Sequence, residues 1–292
     1  MLNKGMELVL SSKNLTGEFT WETSFNLTLN KNKVTKLYGG NISLGYAGII
    51  REGDDIAEVS AFKWLGVDEQ TGAPQFERLQ YDPATNTYIS KIVNTVDAIT
   101  AGLTGEAFNM QRQKIGNTTP KYYGGMINTF GYRGFELSVL LNFAADYLVY
   151  NNSRSTYFSS EGNNVLRYNQ IKPMNNQVIW QKPGDKATEP MIYRGRTDGT
   201  DQQFISRFWE DASHIRVRNV RLSYSLPDKL INKAKLNRAS VYLSGDNLYI
   251  FTKKSFTGVD PEGGLAGDTN SYGISAGYGA SRKYLLGVQL TF

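Results

Sequence analysis

From Glu18 to Asn30 the chain alternates without a break. Phe19, Trp21, Thr23, Phe25, Leu27 and Leu29 hold the odd positions, and Glu18, Thr20, Glu22, Ser24, Asn26, Thr28 and Asn30 the even ones. Period two sends successive side chains to opposite sides of a sheet, so the segment predicts a strand with one mostly apolar and one polar face. At ~3.3 Å per residue this strand spans about 40 Å, against a mode of about five or six residues for globular strands. It is too long for a typical sandwich. The pattern recurs at Phe135, Leu137, Val139, Leu141 and Phe143, and again at Tyr284, Leu286, Val288, Leu290 and Phe292. Ser213 to Leu226 and Arg238 to Phe251 alternate too, but change phase near Asn219 and Gly245. Those changes predict bulges, or crossings out of the apolar zone. Alternation gives roughly eight to ten strands in all.

The connections are unequal. Gly131-Tyr132-Arg133-Gly134 predicts a tight hairpin, Ser12 to Gly17 joins two further strands, and Pro227 to Asn237 is a modest turn. Tyr147 to Asp211 and Thr252 to Arg282 are long, rich in Asn, Gly, Ser and Tyr, and weakly periodic. Long structureless loops are foreign to compact soluble domains, whereas short turns at one end and long loops at the other are the rule for transmembrane barrels. No internal repeat of 20–50 residues is present, which sets aside solenoids and propellers.

Composition agrees by exclusion. Tyr 18, Phe 14 and Trp 4 are too many rings for a disordered chain. The densest apolar stretch, Val139 to Ala145, is interrupted by Asn142 and is far short of the ~20 residues of a spanning helix. Lys+Arg 32 against Asp+Glu 27 leaves +5, but the bases are scattered among acids, so no nucleic-acid partner is expected. Zero cysteines remove disulfides, thiolate metal sites and thiol nucleophiles. The N-terminal MLNKGMELVLSSKN has Glu7 in its one apolar run, so no export signal is read there.

Candidate chemistry is sparse. His214, the only histidine, stands near Glu210 and Asp211, which would allow a base oriented by a carboxylate in a barrel-borne hydrolase. The plainer reading is an interfacial or lumen-facing histidine, and no catalytic site is expected. Asp260, Glu262 and Asp268 lie among Pro261, Gly263, Gly264 and Gly267, but their spacing fails the calcium-loop pattern, and no Lys-Ser/Thr follows the glycines to cradle phosphate. No metal or cofactor is expected. Arg216 and Arg218 share a face with His214, while Arg221 has the opposite parity. An arginine at the lipid midplane costs about 2–4 kcal/mol, so these charges predict a lumen or interface position.

Several stretches together resemble one family, the SusC/RagA group of TonB-dependent outer-membrane transporters. They are Asn3 to Leu8, Phe19-Thr20-Trp21 with Asn30 to Val34, Gly116 to Gly125, Tyr132 to Ser138, Arg207 to Ser213 with Ile215 to Val220, Tyr224 to Pro227, and Val241 to Leu248 with the terminal Phe292. The resemblance implies an all-β fold, a transmembrane antiparallel barrel of 22 strands around an N-terminal plug. It further implies a SusD-like surface lipoprotein as lid, drive from the TonB complex, outer-membrane lipid around the wall, and oligosaccharide or peptide as cargo. Residues 1–292 would be the C-terminal part of the barrel, with signal peptide, TonB-binding segment and plug outside this chain. In such a wall Arg216 and Arg218 could help a polar substrate through, and Tyr157, Phe158, Trp180, Tyr193 and Trp209 would offer flat rings to sugar or lid, or else pack the loop against itself. The terminal strand, Tyr284, Leu286, Val288, Leu290 and Phe292, would carry the barrel-assembly signal. Nutrient import without covalent chemistry is the reading that follows. The alternatives are a β-rich, envelope-exposed glycan-binding module that does not span the membrane, and an outer-membrane barrel hydrolase resting on His214.

Overall fold

A computed structural model describes residues 1–43, 49–157, 177–192, 205–231, 236–263, 273–274 and 279–291. The chain opens with two long strands, β1 (Leu2–Thr16) and β2 (Phe19–Lys33). A first excursion carries β3 (Ile42–Ser43), β4 (Ile49–Ile50), β5 (Glu58–Phe62), β6 (Trp64–Val67), β7 (Pro74–Asp82), β8 (Thr87–Val93), α1 (Val96–Thr100), α2 (Gly105–Met110) and β9 (Arg112–Asn117). The chain returns through β10 (Tyr122–Tyr132) and β11 (Phe135–Ala145), and leaves again through β12 (Leu148–Asn151), α3 (Asn152–Tyr157) and β13 (Trp209–Asp211). It then runs through β14 (His214–Ser225), α4 (Asp228–Ile231), β15 (Arg238–Thr252), β16 (Gly273–Ile274) and β17 (Lys283–Thr291).

Seven of these strands form one antiparallel wall in the order β1-β2-β10-β11-β14-β15-β17. Alternation gave eight to ten strands; the described wall has seven, because the excursion strands are short and belong to separate small sheets. The register makes the faces continuous. Leu8, Leu27, Phe143, Ile215 and Phe251 lie on one side, as do Phe130, Leu137, Leu222, Leu243 and Leu286. Ser24, Asn26, Asn142, Arg216, Asn219 and Ser244 lie on the other. Rings crowd the apolar side at both ends: Phe19 and Phe130 stand 6.3 Å apart and Phe135 and Tyr224 4.5 Å apart at one, Phe25 and Phe143 6.0 Å apart at the other. This is the girdled band of a barrel wall.

The turns fall as the alternation demanded. Tyr132 and Phe135 close a two-residue hairpin in which Arg133 and Gly134 both take positive φ, 46° and 87°, the primed turn that matches strand twist. The β1–β2 connection is tighter than the sequence indicated, since β1 runs on to Thr16. Both hairpins and the α4 turn lie at one end of the wall, and the three long excursions all leave from the other.

Burial is inverted relative to a globular domain. The main buried cluster, which includes Val59, Phe62, Phe76, Ile99, Ile205 and Phe208, sits in the excursions. The apolar face of the wall is bare: Leu286 is 78% exposed. A face of that size is stable only against another apolar phase, and in lipid a closed sheet is one of the two ways to satisfy the backbone.

Candidate functional site

Where the polar face of the wall meets the excursions lies an open cavity of about 1080 Å³. Its floor is the polar side of β2, β10 and β11, including Ser24, Asn26 and Asn142, and its rim is Thr118 to Pro120, Tyr147 to Val149, and Pro261 with Glu262. The floor is pinned by side chains that complete the backbone pattern: Asn26 Oδ1 accepts from Gly125 N–H at 2.8 Å.

Beside the cavity, the start of β14 holds the following loop by charge. Arg216 pairs with Asp260, and its Nε lies 3.2 Å from Glu262. Arg218 Nη2 donates to both oxygens of Glu262, at 2.9 and 2.8 Å, and its Nη1 to Asn247 Oδ1 at 3.0 Å. His214 Nε2 meets Glu262 Oε1 at 3.1 Å, and its Nδ1 lies 2.9 Å from Ala212 O and 3.2 Å from the Tyr147 hydroxyl. Asp260 also accepts from Glu262 N–H at 2.9 Å and Ala280 N–H at 3.0 Å. The hydrogen bond from His214 and the neighbouring Arg218 and Arg216 outweigh burial and hold the Glu262 carboxyl down at about 2. Burial pushes the Tyr147 phenol well above its ordinary value, with Glu262 and Asp260 adding to it.

The phase change expected near Asn219 is a bulge. Val217 pairs with Tyr249 and Asn219 with Asp246, so Arg218 faces Asn247 and Leu248 without a partner of its own in the ladder. The bulge reconciles parity with the expected lumen or interface position of Arg221. Arg221 has the opposite parity in the sequence, yet the reset phase returns it to the polar face, where its guanidinium stacks 4.2 Å over the Tyr242 ring.

A second network joins the excursions and had no sequence signal, because its members are distant along the chain. Glu189 takes Arg154 Nη2 and Arg207 Nη2, each at 2.6 Å. Glu210 takes Arg154 Nη1 at 3.2 Å and Thr257 N–H at 2.7 Å. All four charged groups are largely buried.

The ring residues expected at the surface divide. Trp180 is 7% exposed and lies against Gly72, with Nε1 donating to Glu69 O at 2.9 Å. Trp209 sits in the main cluster, 5.5 Å from the Tyr150 ring. For these two the structure selects packing, Trp180 against the first excursion and Trp209 within its own loop, because both rings are buried. Tyr157 ends α3 with its side chain outside the description, and Phe158, Tyr193, Asp268 and Phe292 lie outside the described residues. Arg216 is 3% exposed and spent on its pairs; Arg218, about one-third exposed, is bonded to Glu262, which lines the cavity. Tyr284, Leu286, Val288 and Leu290 all stand on the bare apolar face. His214, offered as a base, has both ring nitrogens engaged, and the phenol beside it is shifted away from nucleophilic use.

An antiparallel wall with a bare, girdled apolar face, a polar inner face and all its long loops at one end has the architecture of part of a transmembrane β-barrel. The chain carries the SusC/RagA likeness from end to end. It is 27% identical over 311 residues to TonB-dependent receptor P3 of Formosa agariphila, across 99% of this chain and 28% of that protein. It is 25% identical over 299 residues to TonB-dependent receptor SusC of Bacteroides thetaiotaomicron, across 99% of this chain and 26% of that one. Among solved structures it matches the RagAB peptide transporter with a TM-score of 0.74 at 23% identity, over 99% of this chain and 29% of the other. The same importer in its closed-closed state gives 0.74 at 24% identity. No protein-family model matches. The chain thus spans less than a third of the length of the relatives it matches.

Proposed function

We propose that residues 1–292 are the C-terminal part of the barrel of an outer-membrane TonB-dependent importer. Plug, TonB-binding segment and signal peptide would lie elsewhere in the full-length protein. Its cargo would be oligosaccharide or peptide, taken from a SusD-like surface lipoprotein and drawn inward by the TonB complex. The observation that carries this reading is the pairing of a lipid-suited outer face with a polar inner face that opens into a cavity beneath the long loops. Nothing in that cavity calls for bond chemistry: its floor mixes amides and a hydroxyl with Ile127 and Leu140, and its carboxylate is already matched by arginines. Arg218, which holds the rim carboxylate of Glu262, is the candidate to meet a polar cargo. Names of the relatives favour the same reading, since they are receptors and an importer.

By turn lengths, the hairpins face the periplasm and the excursions, Tyr147 to Asp211 among them, face outside. The test uses the absence of cysteine from this chain. In the full-length protein, Lys182→Cys should react with a membrane-impermeant thiol reagent on intact cells, and Lys229→Cys, in the α4 turn, only after the outer membrane is broken. The opposite pattern would reverse the topology. Equal labelling of both on intact cells would remove the spanning reading. Growth on the cargo that survives deletion of the receptor would remove the import role.

A further inference from the structure

At its outer end the apolar face of the wall finishes in two lysines set directly against each other. The β1–β2 register is unbroken from Leu2 opposite Lys33 to Lys13 opposite Glu22. Leu10 with Phe25, Leu8 with Leu27, Met6 with Leu29 and Lys4 with Lys31 therefore all fall on one side, the bare apolar one. Phe19 to Leu29 covers about 33 Å along the strand, which at a tilt of about 40° is about 25 Å of height, the full apolar band of a barrel. Lys4 and Lys31 take the next step outward, at headgroup level. Like charges directly opposite on paired strands destabilise each other. Both lysines are exposed, and neither meets a carboxylate among the described residues. Glu7, the acid nearest along β1, turns to the inner face opposite Thr28.

The surroundings say what matches this pair. The first excursion packs on the other side of the wall here, since Asn32, between Lys31 and Lys33, accepts the Ile56 N–H at 2.7 Å on the inner face. Sideways, β10 first pairs at Tyr122 opposite Leu29 and stops short of Lys31. A strand added beyond β1 would lie beside Lys4, with Lys31 one strand further in. Below the pair, Met6, Leu8 and Leu10 stand exposed on the same face and form an apolar lane. Two ammonium groups on Cβ atoms about 5 Å apart can both donate to one phosphate, and the lane beneath takes an acyl chain. A phosphate carried on a lipid satisfies both halves at once; a peptide or a sugar leaves the lane bare.

We propose that Lys4 and Lys31 bind the phosphate of an outer-leaflet lipid whose acyl chain lies along Met6, Leu8 and Leu10. This rests on the spanning and topology reading above, and the test separates the two. The full-length receptor, purified in maltoside detergent, is titrated with monophosphoryl lipid A, and the bound fraction is read by native mass spectrometry. Wild type should bind this lipid at least about tenfold more tightly than the same lipid stripped of its phosphate. Lys4→Gln and Lys31→Gln should each weaken binding about fivefold, and together about twentyfold, to the level of the stripped lipid. Lys4→Arg with Lys31→Arg should keep it. In lipid-free detergent Lys31→Gln should be no less stable to denaturant than wild type, because it removes a repulsion. Equal affinity for the two lipids, or binding indifferent to both Gln changes, would overturn the proposal. Affinity in detergent does not depend on which end of the wall is outside; Lys182→Cys labelling of intact cells decides that separately. Reversed labelling would sink the topology reading and the outer-leaflet assignment with it, whereas failed lipid binding with labelling intact sinks the lysine site alone.

Discussion

Replacing Glu262 by glutamine keeps the shape of the charge knot and removes the anion that Arg216, Arg218 and the His214 ring share. Its carboxyl falls from 4.5 to about 2 in the folded protein, which corresponds to about 3 kcal/mol at ~1.36 kcal/mol per decade of proton affinity. Glu262 is 29% exposed, so solvent screening is modest, and about 3 kcal/mol also matches the lower end of what breaking a buried pair costs. The sign follows from the depression. The contribution is complete above about pH 4.5 and drains away as pH falls through about 2. The knot closes a loop and lies outside the lipid-facing band, so the effect belongs to opening of residues 253–263 rather than to melting of the wall. The assay is hydrogen–deuterium exchange of the amides of 256–263 in detergent-solubilised full-length protein. At pH 7, Glu262→Gln should exchange on the order of a hundredfold faster there, while β10 and β11 stay unchanged. Towards pH 2 the two proteins should converge. A difference under about fivefold at pH 7, or one that persists undiminished at pH 2, would refute the argument.

Three further outcomes are expected. Expressed alone without detergent, residues 1–292 should aggregate, since the bare apolar face and the outer edges of β1 and β17 are unmatched in water; a monodisperse, cooperatively melting monomer by light scattering and calorimetry would count against the spanning reading. Deleting Phe292 from the full-length protein should lower its amount in the outer membrane on immunoblots, whereas an unchanged level with reduced uptake would place its role in transport. Gly287→Ala should destabilise the wall by about 1–3 kcal/mol in denaturant titrations, because a Cβ there would come within 2.4 Å of the Tyr242 ring held under Arg221; Tyr242→Ala should relieve it, and a neutral Gly287→Ala would show that ring to be free to move.

The wall was legible because its physics is local. A strand between lipid and lumen must alternate at every residue, and β2, β11 and β17 print that rule directly in Phe19 to Leu29, Phe135 to Phe143 and Tyr284 to Leu290. The same holds for Arg133-Gly134, where a two-residue turn needs positive φ, and for the phase slip at Asn219. The excursions obey no such rule. Residues 34–121, the longest of them, show no sustained alternation, since their strands are short and the core residues Val59, Phe76 and Ile99 are satisfied by Ile205 and Phe208 far along the chain. For the same reason sequence could name Trp180 and Trp209 as rings but not say that both are covered, and could give Arg221 its lumen or interface position only from the cost of charge in lipid, not from parity. Glu189 reaching Arg154 and Arg207, Gln111 closing the edge of β7, and Glu262 gathering His214, Arg216 and Arg218 are matters of through-space distance between segments. Periodicity determined which side of each strand meets lipid; only the tertiary fold decided which charges meet each other, because a single charge or ring carries no period from which its partner could be read.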